Sequence, residues 1–290
     1  MLFRMLGALP LPINHLLGSL AGLTAFAFSA RHRKLTRENL ALFNAWNRSG
    51  NANTGIRSAV EQGKGLSELA IAWTAPLTRI YGLVKECTGW EHVEAAKAQG
   101  KAVIFVTPHL GCYDVAGRYL ESRTPVMALY RSPKQAWLEP IMQAGRQRGG
   151  GSTAPADASG VRQLLRTLRS GGSIVMLPDQ VPAPESGGDG VWAPFFGKPA
   201  YTMTLLPRLA QSGDAVVLLF YARRLPWGRG YAVHIEPPMP PFPQDKSEAA
   251  ATMNRALEQL IAQAPAQYLW GYNRYKHPAG APLPPENKAP

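Results

Sequence analysis

Four runs of apolar, largely β-branched residues punctuate the middle of the chain: residues 102–107 (AVIFVT), 125–130 (PVMALY), 173–177 (SIVML) and 215–221 (AVVLLFY). None alternates with polar positions, so each predicts a strand covered on both faces. A fifth run, residues 231–236 (YAVHIE), does alternate and predicts a strand nearer a sheet edge. Between these runs the period changes. Over residues 159–170, Val161, Leu164, Leu165 and Leu168 share one helical face, while Arg162, Arg166 and Arg169 share the other, and Gly171-Gly172 ends the pattern. A late helix is expected over residues 252–261. Strands alternating with helices predict an α/β fold, a mixed and largely parallel central sheet flanked by helices. Residues 181–194 are rich in Gly and Pro and read as a long loop, followed after residues 193–200 by a helix. Residues 278–290 read as a loose tail.

The first 83 residues have a different pattern and read as mainly helical, with the polar, Gly/Asn-rich residues 47–65 as a loop or poorly formed helix. No Asp, Glu, Lys or Arg occurs between Arg4 and Arg31. Residues 5–30 are long enough to cross a bilayer, although Pro10, Pro12, Asn14 and His15 interrupt the first half. Arg31, Arg33, Lys34 and Arg37 follow the apolar segment, whereas a cleaved signal peptide carries its basic residues ahead of it. The pattern therefore predicts an N-terminal membrane-associated helix, spanning or interfacial, over residues 1–30, with a helix buried in the protein as the alternative, and a single further domain over residues 31–290 on the cytoplasmic side.

Composition adds two constraints. The 290 residues carry 31 Lys+Arg against 19 Asp+Glu, a formal net charge of +12, which favours acidic partners. Basic side chains are not interleaved with exposed aromatics as a nucleic-acid surface would require, so nucleic acid is not expected as a partner. The only cysteines, Cys87 and Cys112, make neither a disulfide framework nor a metal-spaced cluster, and no metal or cofactor is called for.

Candidate chemistry gathers where strands end. Pro108-His109-Leu110-Gly111-Cys112-Tyr113-Asp114 follows the strongest strand, and α/β proteins bind ligands beyond the carboxyl ends of their strands. A helix starting near Gly111 would carry Asp114 back under the His109 imidazole, which suits proton transfer at neutral pH. Gly111 would let substrate approach the backbone. Six histidines and 19 acidic residues in 290 give about 0.4 His-x4-acid pairs by chance, so the spacing gains weight only from its context. That context includes Arg131 of Tyr130-Arg131-Ser132-Pro133 and Asp179-Gln180 after the third strand. Phe195-Phe196-Gly197 is read as a packed wall of an apolar pocket. The Arg162/Arg166/Arg169 stripe reads as a solvated face or a docking site for an acidic carrier. Cys112 could be read as a thiol nucleophile, but direct attack by an acceptor hydroxyl needs no covalent intermediate.

In this order, PHLGCYD, YRSP, LPDQ, APFFGKPAYT and WGYNRYK resemble the late acyltransferases of lipid A biosynthesis, the lauroyl/myristoyl transferase family within the His-x4-Asp/Glu acyltransferases. The resemblance runs over roughly residues 100–276 and more loosely over the N-terminal segment. It implies an acyl-thioester donor, usually acyl carrier protein with acyl-CoA as the other option, and a lipid-linked hydroxyl acceptor at the inner membrane. It implies His109 and Asp114 as the catalytic pair, with Arg131 facing the reacting acyl group or a phosphate. Asp179 matches the acidic residue of the strand-end DQ motif, and Asp179 and Gln180 are expected, with Arg131, Phe195, Phe196 and Gly197, to contact substrate. Two departures bear on the acceptor: a short N-terminal region and the low-complexity residues 183–190. Other acceptors, such as an ornithine lipid, lysophospholipid or mannolipid, stay open, as does a non-catalytic basic binding protein.

Overall fold

The computed structural model describes residues 2–47, 54–130, 135–184 and 188–285. Its centre is a seven-stranded sheet whose order depends on pairings between distant segments. The strands are β1 (Val84–Thr88), β2 (Ala102–Val106), β3 (Val126–Tyr130), β4 (Gly151–Pro155), β5 (Ser173–Met176), β8 (Ala215–Arg224) and β9 (Tyr231–Ile235). They lie in the order β1-β9-β8-β2-β5-β3-β4, and every neighbouring pair is parallel except the β8–β9 hairpin. A separate antiparallel hairpin joins β6 (Gly190–Phe195) to β7 (Lys198–Met203). The expected mixed, largely parallel sheet is therefore observed, and β9 lies one strand in from the edge formed by β1.

The continuous apolar runs are buried on both faces, as their lack of alternation requires. In β2, Ala102, Ile104 and Val106 enter one hydrophobic cluster, and Val103 and Phe105 enter the other. In β8, Val217, Leu219 and Tyr221 separate in the same way from Leu218, Phe220 and Ala222. The first cluster is closed by α3 (Ala30–Trp46), α9 (Ala158–Arg169), α10 (Leu205–Ser212), α11 (Lys246–Gln263) and the β6–β7 hairpin. The second is closed by α4 (Gly55–Thr74), α5 (Leu77–Leu83), α6 (Trp90–Ala98), α7 (Tyr113–Glu121) and α8 (Glu139–Arg146). In α9, Leu164 and Leu168 are buried, and Arg162, Arg166 and Arg169 point to solvent. Asp157 caps α9 by accepting from the backbone N–H groups of Ser159 and Gly160.

Two expectations are corrected. Residues 55–65 are helical, the first half of α4, which Thr54 caps by accepting from the Arg57 N–H. Their small residues, unfavourable in an isolated helix, let a second helix approach: a Cβ on Gly63 would lie 2.0 Å from the Gly18 carbonyl oxygen. Residues 190–194, expected to end a long loop, belong to β6 and pair antiparallel with β7, and the helix expected after residues 193–200 follows that hairpin as α10. The rest of residues 47–65 lies partly outside the described residues.

At the N-terminus α1 (Leu2–Ala8) and α2 (Leu11–Phe28) are separated at Pro10, and Ser29 caps α3 by accepting from the His32 N–H. Among the described residues, α2 is the one helix long and apolar enough to cross a membrane.

Candidate active site

β2 and β5 are parallel neighbours with Val106 opposite Met176. Three residues past each strand stand His109 and Asp179, so the register brings them level at the carboxyl edge of the sheet. His109 Nδ1 donates to Asp179 Oδ1 at 2.8 Å, and the His109 backbone N–H donates to Oδ2 at 3.0 Å. Burial alone would push the Asp179 carboxyl up. The His109 imidazole, its two hydrogen bonds and Arg274 outweigh that and hold the pKa below the usual carboxylate range. A carboxylate only accepts, so Nδ1 carries the proton of the neutral ring. Nε2 then presents its lone pair, 3.2 Å from the Gln180 amide nitrogen. The Tyr113 ring packs edge-on against the imidazole, with centroids 5.0 Å apart.

The loop carrying His109 is fixed from two sides. The His109 carbonyl accepts from Leu269, Gly111 N–H donates to Gln267, and Cys112 N–H donates to Ala222. Gly111 has φ +60°, and a Cβ there would sit 2.0 Å from the Ala222 carbonyl oxygen. Glycine is thus required by the close approach of β8, rather than by an incoming substrate.

Asp114 occupies a different environment from the one its spacing suggests. The loop continues through Cys112, so α7 begins at Tyr113 rather than near Gly111. Asp114 Oδ1 accepts from Arg146 Nε at 3.3 Å and Nη2 at 3.2 Å, and no hydrogen bond joins it to His109. Its Oδ2 is buried without a partner among the described residues. The carboxylate bonded to the imidazole is Asp179, which sequence reasoning had assigned to substrate contact. The signal available for this pairing was the shared position of both residues just past neighbouring strands.

The other predicted residues divide. Gln180 lies at the imidazole. Phe195 and Phe196 are buried among Phe43, Trp46 and Trp270, with Arg274 stacked 5.0 Å over the Phe195 ring. Phe196 (φ +46°) and Gly197 (φ +76°) form the turn of the β6–β7 hairpin. The cavity at His109, about 140 Å³, has other walls: Gln62, Leu66 and Leu69 of α4, with Gly111, Tyr113 and Leu269. Arg131 lies outside the described residues. Cys112 is buried, and burial pushes its thiol well up, away from thiolate chemistry.

One group missed by sequence reasoning ties the loop to the N-terminal helices. Glu68 of α4 is completely buried and accepts from Arg224 Nε at 2.8 Å, from Tyr231 Oη at 3.0 Å and from His15 Nε2 at 2.6 Å. Arg224 Nη2 continues the chain to the Gly111 carbonyl at 2.9 Å. Nothing in the polar residues 61–68 of the sequence distinguishes this glutamate from a solvated one.

A part-buried Asp–His pair whose second ring nitrogen faces a cavity beside the Gln180 amide, at the carboxyl edge of a parallel sheet, is equipped to take a proton from a bound hydroxyl that displaces that amide. Comparison with known proteins narrows that class. Residues 1–277 match the family described as bacterial lipid A biosynthesis acyltransferase, and the chain belongs to that family and is an acyltransferase. It is 30% identical to the lipid A biosynthesis lauroyltransferase of Escherichia coli K12 over 278 residues, covering 94% of this chain and 89% of that protein. It is 30% identical to the palmitoleoyltransferase of the same organism over 277 residues, covering 92% and 86% respectively. A lipid A biosynthesis acyltransferase of Haemophilus influenzae is 32% identical over 210 residues, covering 71% and 62%. The match extends through the N-terminal helices, beyond the residues on which the motif resemblance rests.

Proposed function

We propose that this acyltransferase moves a fatty acyl group from an acyl thioester, carried on acyl carrier protein, to a hydroxyl of a lipid A precursor, with His109 as general base. The observation that carries this reading is the 2.8 Å bond from His109 Nδ1 to Asp179, which leaves Nε2 as the proton acceptor at the cavity. Nε2 takes the proton as the acceptor oxygen attacks the thioester carbonyl. The tetrahedral intermediate expels the carrier thiolate, and the imidazolium returns the proton to that sulfur. An ester C–O bond replaces the C–S bond with no net proton change. Asp179 keeps the ring in the productive tautomer and stabilises the imidazolium.

The membrane in question is the inner membrane and the catalytic face is cytoplasmic, in keeping with a net charge of +12 and a basic run directly after the apolar helix. The exposed Arg162, Arg166 and Arg169 are candidates for meeting an acidic carrier. The test is incubation of purified protein with acyl carrier protein thioesters or acyl-CoA and a lipid A precursor, read by mass spectrometry. One added acyl chain, lost in His109→Ala, is expected. No transfer to the lipid A precursor, or full transfer by a folded His109→Ala protein, would overturn the reading.

A further inference from the structure

The helix α2 meets the test of length and composition for a membrane span, yet it is packed along its whole length. Its buried face comprises Leu11, Asn14, His15, Gly18, Gly22 and Phe26. That face runs antiparallel along α4, from Gly7 of α1 against Ala70 and Thr74 to Phe26 against Gly55. In the middle the backbones touch: a Cβ on Gly22 would lie 2.1 Å from the Ala59 carbonyl oxygen. Polar bonds add to the packing. Ser67 Oγ donates to Asn14 Oδ1 at 2.7 Å, and His15 joins the Glu68–Arg224 pair at 2.6 Å.

A helix of 18 residues rises roughly 27 Å. Crossing a hydrocarbon core of about 30 Å would therefore draw α4 in beside it, with Glu61, Lys64 and Glu68, and with Arg224 of β8. Detaching α2 instead would strip His15 from a buried carboxylate and open the α4 backbone. Neither is compatible with a folded domain whose α4 also walls the His109 cavity.

The opposite face of α2 is apolar and uncovered. Ile13, Leu16, Leu17, Leu20 and Leu23 repeat at helical spacing, with Leu16 60% and Leu20 54% exposed. Trp227 extends this surface. It is 90% exposed in a left-handed conformation (φ +60°) at the β8–β9 turn, next to Gly228, whose Cβ would meet Pro12 at the start of α2. Past the Ser29 turn, Arg31, Lys34 and Arg37 of α3 are exposed. An apolar stripe with a tryptophan at one end and cations at the other matches an anionic bilayer surface.

The cavity adds a second observation. At about 140 Å³ it is well below the ~300–1,000 Å³ of sites that enclose a whole ligand of drug size. Its rim includes Leu66, 67% exposed and adjacent to the Ser67 that bonds Asn14.

Resting on the membrane reading above, we infer that α2 lies in the bilayer surface and does not cross it, with Trp227 as a second anchor, so that the His109 cavity opens beside the lipid. The fatty chains then stay largely in the membrane while only the reacting groups enter the protein.

The test uses full-length protein in sealed inner-membrane vesicles of both orientations and a membrane-impermeant maleimide. Cys87→Ser removes the half-exposed thiol, and Cys112 is buried. Cysteine is then introduced at Arg4 of α1 or, as a domain marker, at the exposed Glu94 of α6. Labelling of both from the same face is expected. Labelling of Arg4→Cys only from the face opposite Glu94→Cys would overturn the inference and leave membrane attachment intact. Protein absent from the vesicles altogether would overturn the membrane reading beneath it. In a second arm, L16E/L20E and Trp227→Ala should each bind phosphatidylglycerol-containing vesicles at least tenfold more weakly while turning over normally in detergent micelles. Unchanged binding by both variants would remove this face from the membrane contact.

Discussion

Two buried carboxylates lie within a few residues or one strand spacing of His109, and their partners differ. Asp179 faces an imidazole and Asp114 faces a guanidinium. An imidazole can gain and lose a proton near neutral pH, so the Asp179 pair can change state during a reaction. A guanidinium keeps its proton throughout, so the Asp114–Arg146 pair is a fixed electrostatic link between α7 and α8. Nearby, Arg118 bonds Glu121 and the Gly145 carbonyl, which strengthens the same link. Burial pushes the Glu121 carboxyl up to about 8, the Arg118 guanidinium notwithstanding. Proximity to His109 in sequence is thus a poorer guide to which group a carboxylate meets than the strand register and helix start that deliver it.

This contrast can be broken by substitution, and the largest effect is expected at His109 itself. His109→Ala should lower turnover by ~10²–10⁴-fold with the melting temperature preserved, since a general base is worth about that much. Asp179→Asn should come next, costing about tenfold or more and falling mainly on kcat, because an amide can no longer hold the Nδ1–H tautomer. Asp114→Asn should instead reduce stability by roughly 1–3 kcal/mol, discounted from a fully buried pair because the Arg146 side chain is 20% exposed. Its kcat should change less than that of Asp179→Asn when both are measured well below their melting temperatures. If Asp114→Asn proves as inactive as Asp179→Asn while melting normally, the contrast collapses and Asp114 belongs at the reacting centre.

A fourth expectation sets the N-terminal ion pair against both. Burial raises the Glu68 carboxyl, but Arg224 and His15 outweigh it and hold it at about 2, from an ordinary 4.5. A depressed acid contributes stability above its unfolded value and loses it as pH falls through its folded value. Thermal stability should therefore decline from about pH 4.5 toward pH 2. Glu68→Gln, less stable at neutral pH, should show a flatter profile, and an unchanged slope would remove Glu68 from the titration. The smallest effect is expected at Cys112, where Cys112→Ser should leave turnover within a factor of about two, since no thiolate is needed.

Much of this molecule is written locally. The runs at residues 102–107 and 215–221 lack alternation, are short and rich in β-branched residues, and alternate with helix patterns, so an α/β sheet was legible in the sequence. The heptad-like stripe of α9 and its Gly171-Gly172 stop are equally local. The position of His109 was legible because a residue just past a strong strand sits at the carboxyl edge of such a sheet, where ligands bind.

What the amino-acid sequence determined by itself was therefore five of the nine strands among the described residues, the sheet edge on which the candidate chemistry gathers, and the family. What only the tertiary structure decided was which partner each of these met. The register of β2 against β5 delivered Asp179 to His109, and the late start of α7 sent Asp114 to Arg146. The glycines of residues 55–65, weak helix formers alone, stand in a helix on which α2 packs, with Gly63 against Gly18 and Gly22. Asn14 and His15, which look like flaws in a membrane segment, became its fastening to Ser67 and Glu68, 53 residues away. Local pattern reports what a residue prefers; its partner is settled by strand order and helix contact, which join segments that the chain keeps far apart.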